Sequence, residues 1–489
     1  LIVFASLPHL VNLMPTLSGP LSSYRQFMLA GLVTALAIIQ GAVCEAQFGG
    51  GGPGGGGGGG GASAAGIMID AQGVLRARSI PDPGLNRERR AAALEGLPGD
   101  LREKSPLRKV ALSRLEAAVA KAAADGRGIP DEIEKLAGLT RIHYVFVYPA
   151  EGDTPGEIVI AGPAEPWATD AAGRVRGIDT HAPTLLLQDL ATAIRCFGPG
   201  QPHDRLVGCS IDPKPAGLAA LQEFLRRTGS INPRANVDEL VAGMKNALGT
   251  QTVTVQGVSP ASHFAQVLVE ADYRMKLIGI GLEPPPVAMK TWIDLAGGGA
   301  VSANALQRWY FVPEYQCVRI AEDDLAIELV GEGVKLCSAD EVVMPNGQRL
   351  GADRADKASV AYTQAFTKLY PKIAARHPVY AQLRCMIDLA VIAAYMQEHD
   401  AYGKAGWDAK TLRDEKTYPI DTYPVPKEVE TAINAVWRGN RLMTPIGGGV
   451  TAYPRMALDP QNLMVDEKEE VAKARATAAK LPETAWYWD

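Results

Sequence analysis

Hydrophobic and polar positions divide the chain into stretches that alternate between periods of two and about 3.6. Ile67-Met68-Ile69, Asp70-Ala71-Gln72-Gly73 and Val74-Leu75 read as a short hairpin with its turn residues in place. Ser105-Pro106 reads as the start of a helix. Leu107, Ala111, Leu115, Ala118 and Ala122 would form its apolar stripe, and Asp125-Gly126-Arg127-Gly128 its end. Ile142 to Tyr148 is apolar on both faces apart from His143, which predicts a covered central strand, with Glu157 to Ala161 as its partner. A helix over 185–197, a strand over 206–211 and a helix over 217–227 continue the alternation.

A second series begins at Gln251, where Thr252 to Gln256 alternate with period two before a helix over about 261–280. Trp309 to Val312, Cys317 to Ile320, Leu325 to Val330 and Val334 to Cys337 read as an antiparallel meander. Helices over 359–375 and 379–399 follow. The apolar run from Met386 to Met396, broken by Asp388, reads as a buried helix. Beyond 401 the chain is rich in Pro, Tyr and Gly and is expected to wrap the surface, ending in a charged helix and Trp486-Tyr487-Trp488. The expected class is α+β: a mixed multi-domain architecture with an N-terminal α/β-like domain over 64–250, a second domain with the meander and helices over 251–400, and a C-terminal tail over 401–489.

The N-terminal stretch follows neither period. Arg25, the apolar run Phe27 to Ile39, and small residues Cys44 and Ala46 before Gln47 have the order of a secretory signal peptide, giving a segment 1–46. At about 13 residues the run is short for a hydrocarbon core of roughly 30 Å. Cleavage is therefore favoured over a retained anchor, and a lipoprotein through Cys44 is disfavoured by the bulky Val43. Residues 47–63 follow as a glycine-rich linker, with glycine throughout 49–61 except at Pro53. The mature protein is expected to be exported, periplasmic or extracellular, without a transmembrane anchor.

At 489 residues and 47% hydrophobic content the chain has ample material for a core, and a net charge of -5 argues against a nucleic-acid partner. Ten Lys or Arg against six Asp or Glu between Asn86 and Gly128 read as a solvated face rather than an anion site. Six cysteines in so long a chain are no disulfide scaffold. Cys196 and Cys209, separated by a Gly/Pro-rich stretch, are the better candidate bridge and Cys317 with Cys337 a weaker one, against the alternative that all five cysteines beyond Cys44 are buried thiols.

The chemistry motifs are sparse. The chain has no Gly-x-Ser-x-Gly, His-Glu-x-x-His or P-loop pattern. Asp179 and His181 are an acid/base candidate, followed by Ser210. His203, Asp204, Cys209 and Asp212 carry zinc-compatible ligand types at a spacing that fits no standard site. Asp272, Arg274 and Lys276 share a predicted helix with Glu270. Asp272 and Lys276 read there as a surface i, i+4 ion pair, with a binding face as the alternative. No cofactor is called for.

Several segments carry a resemblance. Gly208 to Pro213 with Gly217 to Gln222, Glu270 to Lys276 leading into Gly281-Leu282-Glu283-Pro284, Arg308 to Pro313 and the Leu383 to Ala394 helix resemble a family of large exported proteins from planctomycete-type bacteria, a domain of unknown function. The resemblance covers about 64–400. It implies an exported bacterial protein and assigns no catalytic or binding residue. The expected role is a structural or interaction protein of the cell envelope, without its own catalytic centre and partnered by other envelope proteins. The alternative is a secreted hydrolase with an inter-domain site near Asp179, His181 and Asp272.

Overall fold

The computed structural model describes residues 66–78, 87–228, 237–296, 305–339, 341–343, 349–351, 356–434, 437–438, 441–442, 446–480, 482 and 485–489. The expected signal peptide and glycine linker lie outside them. The chain opens with β1 (Ile67–Ile69), β2 (Val74–Ala77), α1 (Arg87–Gly96), β3 (Ser105–Ala111), α2 (Leu112–Ala124) and α3 (Asp131–Glu134). Next come β4 (Tyr144–Tyr148), β5 (Glu157–Ala164), β6 (Trp167–Thr169), β7 (Val175–Gly177), α4 (Leu187–Phe197) and β8 (Val207–Pro213). They are followed by α5 (Pro215–Thr228), α6 (Val237–Leu248), β9 (Thr250–Gln256), α7 (His263–Gly279) and α8 (Trp292–Leu295).

The strands β10 (Ala305–Pro313), β11 (Val318–Ile320), β12 (Ala326–Leu329), β13 (Val334–Ser338), β14 (Glu341–Val343) and β15 (Arg349–Gly351) precede helices α9 (Lys357–Arg376), α10 (Pro378–Glu398), α11 (Ala401–Ala405) and α12 (Lys410–Arg413). The last stretch holds β16 (Glu428–Glu430), β17 (Trp437–Arg438), β18 (Arg441–Leu442), β19 (Ile446–Ala452), β20 (Met464–Val465), α13 (Glu470–Ala478) and β21 (Tyr487–Trp488).

Two large sheets organise these elements into an α+β fold, as expected. The first runs β1-β2-β16-β9-β8-β19-β10-β14-β15, with β13 also on β10; the second runs β20-β11-β12-β4-β5-β3-β21. The predicted hairpin is present as β1 and β2, where the Asp70 carboxylate accepts from the amides of Gln72 and Val74 and closes the turn. The covered strand is β4, antiparallel to β5 and buried at Val145, Phe146 and Val147. Helix α10 is long and apolar enough to cross a membrane by length and composition, yet 94% of its apolar window is buried inside the fold. Helix α1 buries none of its residues, but the charged stretch over 86–128 is not a solvated face throughout: Arg108 is buried on Asp489 and the Ala137 carbonyl, and Lys109 and Glu116 are buried as well.

Several expectations change. Ser105 does not cap a helix. Ser105–Ala111 is a strand between β5 and β21, and the helix begins only at Leu112. Leu107 and Ala111 fit the helical period by coincidence, because the apolar pattern of a strand runs straight into that of the helix behind it.

The four strands of the expected meander exist but do not form one sheet. β10 pairs with β13, whereas the β11–β12 hairpin between them crosses to the second sheet and pairs with β4. Cys337 therefore lies in the first sheet, whereas Cys317 immediately precedes β11 of the second. The 401–489 segment does not simply wrap the surface either. β19 lies inside the first sheet, antiparallel to β8 and parallel to β10, and β16 joins β2 to β9. Nor do the strands follow the expected boundary at 250, since β8 and β9 pair across it.

Two glycines make room for β19. A Cβ on Gly448 would stand 1.7 Å from the Trp309 carbonyl oxygen, and one on Gly449 would stand 1.9 Å from that of Cys209. Gly448 also has a φ of 139°, a region left almost entirely to glycine.

Cys196, Cys209, Cys317, Cys337 and Cys385 are all free thiols, which corrects both candidate bridges and agrees with the alternative of unpaired thiols. Cys196 lies against Arg205, whereas Cys209 sits on a central strand beside Val450, Asp272 and Lys276. Cys337 is the one of the five that is not fully buried. Under native conditions iodoacetamide should label Cys337 first and the other four only on unfolding. Peptide mass mapping checks this, and a Cys196–Cys209 cross-linked peptide from non-reduced protein would contradict it.

Candidate functional site

Helix α7 carries four ionisable residues in a row of alternate positions, Glu270, Asp272, Arg274 and Lys276. Successive helical residues turn by about 100°, so positions two apart project to nearly opposite sides while positions four apart share one. The apolar residues Phe264, Val267, Leu268, Ala271, Met275 and Ile278 surround the same helix and are all buried. Only His263 and Tyr273 are partly exposed, so the four charges have no solvent face. The expected surface ion pair is a core feature: Asp272 is 0% exposed and Lys276 5%.

On one side Glu270 accepts from Arg174 at 2.7 and 2.8 Å and from Arg274 Nε at 2.8 Å. Arg274 also donates to Glu283 at 2.9 Å and to the carbonyls of Gly66 and Arg78 at 2.9 and 2.8 Å, fastening both ends of the β1–β2 hairpin. Burial acts to raise the Glu270 pKa, but the two guanidinium groups outweigh it and hold the carboxyl below its ordinary value. Two further residues complete this side. Gln382 accepts from Arg174, and His377 lies 3.8 Å from Glu283, its pKa pushed down to about 4 by burial.

On the opposite side Lys276 Nζ donates to Asp272 Oδ2 at 2.7 Å, to the Gly448 carbonyl at 3.1 Å and to the Ile211 carbonyl at 3.3 Å. An ammonium has three protons, and here each has an acceptor. One bond is to the helix itself, one to β19 and one to β8. Asp272 Oδ1 is buried with no hydrogen-bond partner. Burial is the largest influence on Asp272 and raises its pKa to about 6 from 3.8, against the opposing pull of Lys276; Asp212 raises it further and Arg308 lowers it. Asp212 itself accepts from Arg308 at 3.0 Å.

A pH dependence follows from Asp272. The folded state binds its proton more readily than the unfolded chain, so the stabilisation is complete below pH 3.8 and lost as pH rises through about 6. Urea midpoints should therefore fall between pH 5 and pH 7.5 through this group, and D272N should flatten that slope. A slope unchanged in D272N would contradict the assignment.

The other sequence candidates are not brought together. Asp179 and His181 are exposed on one turn; Asp179 pairs with Lys104 at 3.2 Å, and its neighbour's hydroxyl and both backbone amides of 179–180 are held by Glu165. The His181 carbonyl accepts from Arg176. This turn shares none of these partners with the buried Asp272. His203 pairs with Glu398 on the surface, Asp212 with Arg308, and Cys209 is enclosed in the sheet with its thiol pKa pushed well up by burial. Among the described residues no group of three or more His, Cys, Asp or Glu is placed to hold a metal ion.

Sequence reasoning missed two partners of α7. Arg174 lies in a turn far away in the chain, and nothing local announces it. The second is Asp189, which meets His263 at the first turn of α7 with its carboxylate oxygens 2.9 and 3.1 Å from Nδ1. A usable signal was present: charges inside a helix with no polar face must be buried and paired.

Chemically, α7 is a fastening element. It ties the hairpin, the turn bearing Arg174, strands β8 and β19, and the Pro424 carbonyl, which accepts from Gln266 at 2.7 Å. A shallow recess beside it, lined by Tyr273, Lys276, Gln251 and Glu430 among others, is small. No curated protein and no solved structure matches the chain. Residues 209–292, from within β8 to the first residue of α8 and including all of α7, match a family described as a protein of unknown function (DUF1598).

Proposed function

We propose that the chain is an exported structural or interaction protein of the bacterial cell envelope, acting through its surface on other envelope proteins. The observation that carries this reading is the use of the charges on α7. Glu270, Asp272, Arg274 and Lys276 lie inside the segment that matches the family, and they are paired with one another and with groups of the same chain. Charged residues of that segment are thus committed to holding a large fold together. Export rests on the order of Arg25, the apolar run and Ala46, and the net charge of -5 speaks against nucleic acid as the partner.

Fractionation of the native cells, with N-terminal mass spectrometry and in-cell cross-linking, tests the proposal. Recovery in the envelope or medium with Gln47 at the N-terminus, cross-linked to envelope proteins, is expected. A cytoplasmic protein that retains residues 28–46 would overturn it.

A further inference from the structure

The fastening role does not use the first residue of α7. Asp189, in the first turn of α4, is 1% exposed, and His263 is the one hydrogen-bond partner of its carboxylate among the described residues. A buried carboxylate against Nδ1 fixes the proton on that nitrogen and leaves the Nε2 lone pair outward. Nε2 makes no hydrogen bond to the described residues, and the side chain is 13% exposed.

The Tyr423 ring lies 5.8 Å from the imidazole. Its hydroxyl accepts from Gln188 Nε2 at 3.3 Å, which leaves the phenol proton free to donate. Burial raises the Tyr423 pKa, so the phenol stays protonated; Asp421 and Asp189 are the charged groups that add to the rise. Gln188 Oε1 is buried with no hydrogen-bond partner. A positioned base, a hydroxyl donor and an unsatisfied acceptor thus stand together where α4, α7 and the loop at 423 meet.

We propose that His263, oriented by Asp189 and packed beside the Tyr423 ring, is a general base that hydrolyses small carboxylic esters. Nε2 takes a proton from a water as the water oxygen bonds to the acyl carbon, and the carbonyl π pair moves onto oxygen, where the Tyr423 O–H supports it. The pair then returns, the ester C–O bond breaks, and the departing alkoxide takes the proton back from Nε2. The products are a carboxylic acid and an alcohol, and no oxidant or cofactor enters. His263 and Tyr423 are the catalytic residues, and Asp189 is a positioning residue.

The test is hydrolysis of 4-nitrophenyl acetate by the full chain between pH 5 and pH 9. Expected is release faster than that of imidazole at equal concentration, rising with one ionisation. H263A should lower it at least tenfold and H181A, on an exposed turn, should leave it unchanged. D189N should lower it about tenfold and move the pH midpoint, which a merely structural role would not do. Should these variants fail to fold, diethyl pyrocarbonate on the unmodified protein replaces them: loss of activity should track carbethoxylation of His263 in peptide maps. A rate no greater than that of imidazole, or activity that survives removal or full modification of His263, overturns the proposal.

Discussion

Replacing Lys276 with methionine is expected to cost the fold about 3–5 kcal/mol near pH 8, the usual penalty for leaving one member of a buried ion pair alone. The residue supplies the only described hydrogen-bond donor to the Asp272 side chain, and its three protons join α7 to β8 and β19. The size of the loss should depend on pH in a defined direction. Asp272 is already held near a pKa of about 6 with the ammonium beside it, so without the cation its neutral form is favoured still more. At pH 5 the carboxyl is protonated and the variant buries no lone charge, so the deficit should shrink. Urea unfolding at the two pH values measures this. A deficit under about 1 kcal/mol at pH 8 would show that the pair is exposed, as surface ion pairs are worth no more than that.

Gly448→Ala should be nearly as damaging, by about 2–5 kcal/mol, through overpacking and backbone strain together. The added methyl would have to occupy space 1.7 Å from the Trp309 carbonyl oxygen, in a residue whose φ of 139° already excludes a side chain. Trp309 cannot yield easily. It is 0% exposed and packed against Trp292 and Tyr362, with its indole N–H donated to Ser359 at 3.1 Å. Gly126→Ala is the matched control, because its Cβ would meet nothing within 4 Å. Only the ordinary cost of a positive φ, roughly 1 kcal/mol, is expected there. Equal losses in the two variants, measured by urea unfolding, would mean that β19 is not inserted between β8 and β10.

Much of the secondary structure is legible in the sequence because the local pattern is strong where the burial is one-sided or complete. The β4–β5 pair, α4, β8, α9 and α10 all announce themselves by period and by apolar runs. What the sequence conceals is pairing between distant segments. Ile446-Gly447-Gly448-Gly449-Val450 has the composition of a loop, and it becomes a central strand because neighbouring carbonyls come too close for any side chain. The β11–β12 hairpin has the spacing of a meander, and only its contacts with β4 send it to the other sheet. Of the ion pairs on α7, Asp272 with Lys276 was legible as an i, i+4 pair, whereas Glu270 with Arg274 was not read as one. Their burial follows from the surrounding apolar residues, which leave that helix no wet face. His263 was not singled out, because Asp189, which gives it meaning, is on another helix.

Hydrogen–deuterium exchange of the full chain at pH 7 tests the central claim, that α7 fastens a C-terminal strand into the heart of the first sheet. Peptides covering 263–279 and 446–452 should exchange only with the slowest core of the protein, alongside β8 and α10, and K276M should accelerate both together. Exchange of 446–452 within seconds, at the rate of the exposed turn at 179–181, would contradict the account.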